Sequence, residues 1–72
     1  MHRFIINKQQ QANGDHEVHN ATTGCSFMPH PQNQVELGSH GDCSGAVAKA
    51  KAANPTLRIN GCYYCCRACH TS

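Results

Sequence analysis

The stretch that decides how this chain can fold is its C-terminal end, Gly61-Cys-Tyr-Tyr-Cys-Cys-Arg-Ala-Cys-His-Thr-Ser72. It holds four of the six cysteines in the 72-residue chain. Cys62 and Cys65 have the C-x₂-C spacing, and Cys66 and Cys69 repeat it. Two thiolates at this spacing can bind one tetrahedral ion, while backbone N–H groups of the knuckle point at the sulfurs. The sequence therefore predicts a C-terminal, cysteine-rich metal knuckle.

Only one of these two overlapping pairs is expected to chelate. Cys65 and Cys66 are adjacent, and neighbouring side chains rarely reach the same ion without strain. Gly61 precedes the first pair, and we expect it to provide the free backbone dihedral that a tight knuckle needs. The pair Cys62 and Cys65 is therefore favoured over Cys66 and Cys69.

The composition indicates one small domain, residues 1–72, that needs a cross-link. A chain of this length buries too little apolar surface to be stable on its core alone, and it has no Trp, two Phe and two Tyr. Disulfides or a metal can supply the cross-link. No apolar run near Met1 resembles a signal peptide, and none is long enough to span a membrane. We therefore expect a cytoplasmic location without membrane association, where clustered thiols bind metal more often than they oxidise.

The charge argues against a strong nucleic-acid binder. The formal net charge is +2, and the six Lys and Arg residues are scattered along the chain. Tyr63 and Tyr64 could stack on bases beside Arg67. Two adjacent tyrosines in a zinc knuckle, however, more often split, one packing on the core and one facing solvent. At most weak, salt-sensitive nucleic-acid binding is predicted.

The first forty residues predict short strands and loops. Asn13-Gly14 is a turn signal between the first two strands. In the second strand, Glu17 and His19 share one face because side chains alternate. In the third, Val35 and Leu37 are expected to share a face. The predicted strands are Arg3–Asn7, His16–His19 and Gln34–Gly38.

One helix is predicted from Cys43 to Ala53. Asp42 is a good N-cap, and Asn54-Pro55 ends the helix because the residue before proline disfavours the α region. Cys43 lies on the alanine-rich apolar stripe, either as a small buried side chain or in a bonded role. The segment 56–60 is interpreted as an extended lead-in to the knuckle that places Leu57 and Ile59 in the core.

Together these elements predict a small α+β domain that is zinc-stapled, meaning held together by a zinc ion. It has two to three short antiparallel strands, one helix at about residues 43–53 and a C-terminal Cys-rich knuckle. Cys25 follows Gly24 in a loop, and His19 with Cys25 can close a chelate through that loop. A site that joins Cys25 to the cluster at 62–69 would make binding energy into folding energy. Chelation of the metal should then unfold the domain.

A pattern of residues resembles a known zinc domain. Similar residues occur in the small zinc domain that repairs methylphosphotriesters in the bacterial adaptive response, and in zinc-binding tails of some bacterial nucleases. In those domains an early ligand pair joins a late C-x₂-C after one helix. The matching residues are Val18-His19, Gly24-Cys25, Val35-x-Leu37-x-Ser39, Ala46 and Asn60-Gly61-Cys62-x-x-Cys65.

The resemblance implies zinc as the cofactor and a ligand set. It carries ligand status onto Cys25, Cys62 and Cys65, and more weakly onto His19. We predict these four as the ligands, with Cys69 and His70 as the runners-up. The repair domain has cysteine at both early positions and a basic DNA-binding surface. This chain has neither, so methyl transfer is not expected.

A second resemblance runs along the whole chain. The chain is similar to a family of small bacterial Cys/His-rich proteins of uncharacterised role, which implies a stand-alone domain and no activity. The residues that carry this likeness are Asn13-Gly-Asp-His-Glu-Val-His19, Leu37-Gly38, Ala46-Val47, Asn60-Gly-Cys62 and Cys69-His-Thr-Ser72.

The function predicted from these features is a monomeric, zinc-stabilised binding module without catalytic activity. Its partner would be a protein or a weakly bound nucleic acid. One alternative is a thiol-based metal or redox responder that uses Cys66 and Cys69 with His70, beside Arg67. A second is a disulfide-stapled protein without metal, and a remote third is a zinc–thiolate alkyl acceptor in DNA repair.

Overall fold

The computed structural model describes residues 1–71 and shows a four-stranded sheet with one helix packed against it. This confirms the α+β class. Ser72, the last residue of the terminal Cys69-His-Thr-Ser72 stretch, lies outside the described residues. In chain order the elements are β1 (His2–Asn7), β2 (Asp15–Asn20), a 3₁₀ turn (Pro31–Asn33), β3 (Gln34–His40), α1 (Cys43–Ala53), β4 (Arg58–Gly61) and a second 3₁₀ turn (Arg67–Cys69).

The sheet has one strand more than predicted, and it is mixed rather than antiparallel. The strand order is β3-β1-β2-β4, with β1 antiparallel to both β2 and β3. The segment interpreted as a lead-in to the knuckle forms β4, which pairs in parallel with β2. A parallel neighbour needs a crossover connection, and α1 supplies it between β3 and β4. This strand places the start of the knuckle beside the end of β2.

A bulge in the pairing of β1 with β3 reorients Leu37. Phe4 pairs with Gly38 and Ile5 with Glu36, so Leu37 is the extra residue. Gly38 has φ of 83°, a conformation that a side chain rarely adopts. Leu37 is consequently buried while Val35 is 47 % exposed. The prediction that these two side chains share a face is wrong for this reason.

Helix α1 begins and ends as predicted. The Asp42 carboxylate accepts hydrogen bonds from the backbone N–H groups of Ser44 and Gly45. Ala46 and Ala50 are fully buried, and their small side chains let the helix approach the sheet closely. The core residues are Phe4, Ile6, Val18, Leu37, Ala46, Ala50, Cys62 and Cys66.

Only one of the two apolar residues in segment 56–60 packs against the core as predicted. Ile59 packs against the core, whereas Leu57 is 40 % exposed, so its predicted burial is wrong. Among residues 1–71, no helix has the length and apolar character needed to cross a membrane.

Candidate metal centre

The end of β2 and the loop after it bring His19 and Cys25 together. The side-chain oxygen of Asn20 accepts hydrogen bonds from the backbone N–H groups of Thr22 and Thr23. The N–H of Gly24 then donates to the backbone carbonyl of Asn20 at 2.9 Å. These bonds turn the chain back on itself. As a result, the Cys25 Sγ lies 3.8 Å from the Nδ1 of His19.

The knuckle continues the pairing of β4 with β2. The N–H of Cys62 donates to the carbonyl of Val18 at 2.9 Å, and the N–H of Cys66 then donates to the carbonyl of Cys62 at 2.9 Å. This turn holds Cys62 and Cys65 beside the end of β2. The Cys65 Sγ lies 3.5 Å from the Nδ1 of His19.

Four potential ligand atoms thus converge from three separate segments. One atom each from His19, Cys25, Cys62 and Cys65 lies within 4.8 Å of the others. The two sulfurs of Cys25 and Cys62 are 3.9 Å apart. A tetrahedral zinc with bonds of about 2.3 Å to sulfur and about 2.0 Å to nitrogen separates two sulfurs by about 3.8 Å, and sulfur from nitrogen by about 3.5 Å. The donor set and its spacing fit a metal ion of this kind.

Burial of the His19 imidazole favours the neutral form of the ring, which is the form that can bind a metal. Its side chain is 1 % exposed, and its cross-strand partner Ile5 is equally buried. Burial lowers the pKa of His19 below its ordinary value of 6.5, which favours the neutral ring. Nδ1 points at the sulfurs, whereas the buried Nε2 lacks a hydrogen-bond partner among the described residues. The nearest acidic oxygen to Nε2, from Glu17, is 3.7 Å away.

The thiols of the cluster are neutral without a cation. Burial raises the pKa of the Cys62 thiol to about 12, and it also raises the pKa of the Cys25 thiol. The pKa of Cys65 is raised, first by its hydrogen bond with the Cys66 side chain and then by burial. A bound divalent ion would lower the pKa values of these thiols, because it stabilises the thiolate directly.

Backbone donors support the charge that such an ion would require. The N–H of Asn20 points at the Cys65 Sγ at 3.3 Å, and that of Tyr64 at the Cys62 Sγ at 3.4 Å. Donors to thiolate ligands orient and stabilise them. A knuckle N–H group, that of Tyr64, points at a sulfur as expected, whereas the other donor belongs to the last residue of β2.

Both runner-up ligands lie outside this cluster. Cys69 forms a disulfide with Cys43, so it has no thiolate to offer a metal, and its candidacy is corrected. His70 directs its Nδ1 at the carbonyl of Gly61 at 3.0 Å and belongs to no cluster of potential ligands among residues 1–71. The disulfide also removes Cys69 from the pair of surplus thiols. Cys66 is free and buried in the core.

Gly61 is needed for space rather than for an unusual dihedral. Its φ is not positive, unlike those of Gly14, Gly24 and Gly38. A Cβ at Gly61 would lie 2.8 Å from both the carbonyl oxygen of Cys66 and the Cβ of Cys69. The proposed reason for this glycine was therefore wrong, although its association with the knuckle holds. The knuckle closes directly over this position.

Exposed rings surround the knuckle. Phe27 stacks on Tyr64 with ring centroids 4.4 Å apart, and Tyr64 meets Tyr63 edge to face at 5.1 Å. Tyr63 also contacts the ring of His70, and the guanidinium of Arg67 lies 4.9 Å from the centroid of the Tyr63 ring. Phe27, Tyr63 and Tyr64 are 57, 43 and 62 % exposed, and we call these three the aromatic surface. The expectation that one tyrosine packs on the core is wrong.

The comparisons with known proteins leave the site to be judged by its geometry. A scan against protein-family models found no match, and searches of curated proteins and of solved structures found none either.

Three features of the site were missed by sequence reasoning. The alternation of β2 places Glu17 on the face of His19, so the position of its carboxylate near the imidazole could have been found from strand periodicity. Phe27 lies two residues after Cys25, which was a signal for a ring near the group of potential ligands. The Cys43–Cys69 disulfide had no comparable signal, because pairing cannot be deduced from spacing alone.

Proposed function

We propose that this chain is a zinc-binding module in which the ion joins the knuckle to the sheet. The observation that carries the proposal is the convergence of His19, Cys25, Cys62 and Cys65 at tetrahedral spacings. Three thiolates and an imidazole select zinc over the hard cations, which prefer oxygen. The ligands come from β2, the loop after it and the knuckle, so the ion would cross-link segments far apart in the chain.

The four protein donors favour a structural role for the ion. Catalytic zinc sites have three protein ligands and leave a position open for water or substrate, whereas structural sites are closed by four. His19 and Cys62 are both about 1 % exposed, which further restricts access to the ion. We therefore propose a non-catalytic, metal-stabilised binding module that presents a surface to a partner.

A thiol-based redox responder is the second candidate. The disulfide joins Cys43 at the start of α1 to Cys69 in the second 3₁₀ turn, a few residues after the proposed ligand Cys65. Cys66, which has a free thiol, lies between Cys65 and Cys69 in the sequence. The N–H of Cys69 donates to the backbone carbonyl of Cys66 at 3.0 Å. In this alternative, reduction of the disulfide would loosen the knuckle and release the ion.

Native mass spectrometry followed by denaturing mass spectrometry tests whether the chain binds zinc and how many disulfides it forms. We expect one zinc ion per chain in the native spectrum and a mass two hydrogens below that of the reduced chain after denaturation. A folded chain at the metal-free mass would contradict the proposal, whether or not the Cys43–Cys69 disulfide is formed. A mass lower by six hydrogens would establish the disulfide-stapled alternative instead.

A further inference from the structure

The aromatic surface uses most of the aromatic residues that the chain possesses. The sequence contains two Phe and two Tyr and no Trp. Phe4 is the only one of these four in the core, while Phe27, Tyr63 and Tyr64 lie exposed, and Tyr64 contacts both of the other two rings. A chain with so small a core gains stability by burying rings, so this exposure indicates an interaction surface.

The proposed metal would hold this surface in shape. Phe27 follows the ligand Cys25 by two residues, and its backbone interacts with the Cys25 thiol. Tyr63 and Tyr64 lie between the ligands Cys62 and Cys65. The stacked rings of Phe27 and Tyr64 thus belong to two loops that the ion would join. To this extent the inference rests on the proposed function.

A cationic side chain lies beside the rings. Arg67 lies over Tyr63, and His70 contacts the same ring. Of the four acidic side chains, Glu17 interacts electrostatically with His70, but it is only 12 % exposed. The other three acidic side chains are engaged elsewhere, Asp15 with Arg58, Glu36 with Arg3 and Asp42 with the start of α1.

A second cation, Lys51, lies in the helix that packs against the second 3₁₀ turn. Ala68 and Cys69 follow Arg67 in the 3₁₀ turn, and together with Lys51 and Thr71 they line a shallow cavity of about 380 Å³. The disulfide fixes this turn against α1, the helix that carries Lys51. Arg67, which lies over Tyr63, therefore directly precedes two residues that share a cavity with Lys51.

We propose that the aromatic surface, with Arg67 and Lys51, binds single-stranded nucleic acid. Exposed rings can stack on unpaired bases, and stacking tolerates any sequence because every base has a π-face. Arg67 and Lys51 contact the phosphates between the stacked bases. Nothing in this arrangement depends on the 2′-hydroxyl, so DNA and RNA strands are expected to bind alike. A duplex hides its base faces and offers the rings nothing to stack on.

The strength of the interaction follows from the few charges. Two phosphate contacts give a shallow salt dependence, with a slope near −1.4 at about 0.7 per contact for single strands. The affinity is accordingly modest, with Kd in the range of about 10⁻⁶ to 10⁻⁴ M at physiological salt. The expectation of weak and salt-sensitive binding was based on charge, and the exposed rings add a stacking contribution to it.

Fluorescence anisotropy with zinc-loaded full chain tests the proposal. The probes are labelled oligo(dT) and oligo(rU) of about 15 nucleotides, which covers the site sizes of known single-strand binders, and a duplex of equal length. The variants are Tyr64→Ala, Phe27→Ala and Arg67→Ala. Val35→Ala is the control for an exposed apolar side chain and Lys8→Ala for a cation. Val35 lies in β3 and Lys8 follows β1, the two strands farther from β4, and the cavity that both line includes none of the three rings, Arg67 or Lys51.

We expect both single strands to bind and the duplex to bind more weakly. Tyr64→Ala and Phe27→Ala should each reduce affinity about five- to hundredfold, as for other stacking residues. Arg67→Ala should also reduce the salt slope by about 0.7. The two control variants should bind like the unmodified chain, and folding of each variant is checked by its amide NMR spectrum.

Three results would overturn the proposal. They are no binding of either strand at about 10⁻⁴ M protein and low salt, equal binding of the duplex, and full affinity in both ring variants. Capture of a protein partner by a zinc-loaded chain that ignores the oligonucleotides would point to the other class of ligand. The zinc content of each sample is measured separately, so a zinc-free chain contradicts the proposed function while its titration still decides the role of the rings.

Discussion

The carboxylate of Glu17 faces the Nε2 of His19 at 3.7 Å, on the side of the ring opposite the sulfurs. The two residues are two positions apart in β2 and therefore share a face of the strand. Metal-bound histidines commonly donate their second N–H to a carboxylate, which fixes the tautomer and orients the ring. A small movement of the Glu17 side chain would convert this approach into a hydrogen bond and give the buried Nε2 a partner.

Replacing this carboxylate should weaken the metal site without removing it. We expect Glu17→Gln to lower zinc affinity about tenfold, the lower end of the range for such outer residues. Competition against a chelator measures the change. Glu36→Gln is the matched control, because Glu36 pairs with Arg3 on the exposed side of β3. Equal zinc affinity in both variants would show that Glu17 does not support His19.

Gly61→Ala should destabilise the domain. The added Cβ would lie 2.8 Å from the backbone oxygen of Cys66, which cannot move without opening the knuckle. Overpacking of this kind costs about 1–3 kcal/mol. Gly41→Ala is the control, since no atom lies within 4 Å of the position that its added Cβ would occupy. Chemical denaturation of the two variants should separate them clearly, and equal stability would contradict the steric argument.

The adjacent cysteines provide a test of ligand assignment. Cys62→Ser should lose zinc and unfold, because the Cys62 sulfur is one corner of the proposed tetrahedron. Cys66→Ser should retain a full complement of zinc, since Cys66 lies in the apolar core and outside the ligand group. Burying a hydroxyl there costs some stability, so the readout is zinc content by native mass spectrometry. Equal zinc content in the two variants would contradict the assignment of Cys62 rather than Cys66 as a ligand.

The predictable parts of this fold are those specified by local sequence. Asp42 and Asn54-Pro55 fixed the helix ends, because caps and prolines act over a few residues. The group of His19, Cys25, Cys62 and Cys65 was named through motif spacing and a resemblance, and the structure brings these four together. Their status as zinc ligands stays a prediction.

The features that sequence reasoning missed depend on contacts between distant residues. The strand β4 is short, and its partner β2 lies some forty positions earlier, so only the tertiary fold reveals the parallel pairing. The bulge at Leu37 reverses the strand alternation that predicted a shared face with Val35. The pairing of Cys43 with Cys69 likewise requires the helix to lie against the knuckle.

Zinc affinity should rise steeply with pH. The raised pKa values of Cys25, Cys62 and Cys65 mean that each thiol holds its proton in the metal-free protein at neutral pH. Binding must displace these protons, so affinity falls as the solution is acidified. His19, whose pKa is lowered, adds no proton above pH 6.5 and steepens the loss only in more acidic solution. Competition titrations across neutral pH should show more than a tenfold change per pH unit, and a flat profile would exclude thiolate ligation.

Removal of the metal should unfold the domain even when the disulfide is intact. A structural zinc site contributes about 10–16 kcal/mol at neutral pH, which equals or exceeds the total stability of about 5–15 kcal/mol that small domains have. The Cys43–Cys69 bond closes a loop of sequence separation 26, for which the chain-entropy model gives only about 3.5 kcal/mol. Reduction alone should therefore leave the zinc-loaded protein folded.

An NMR series with chelator and reductant, added singly and together, checks this order of importance. Excess EDTA at neutral pH should collapse the amide dispersion, and added zinc should restore it. Reductant alone should preserve both the dispersion and the bound zinc, because Cys43 and Cys69 are not in the ligand group. Dispersion that survives EDTA would show that the metal is not structural. Zinc released by reductant alone would instead favour the redox responder, since the disulfide would then control the metal.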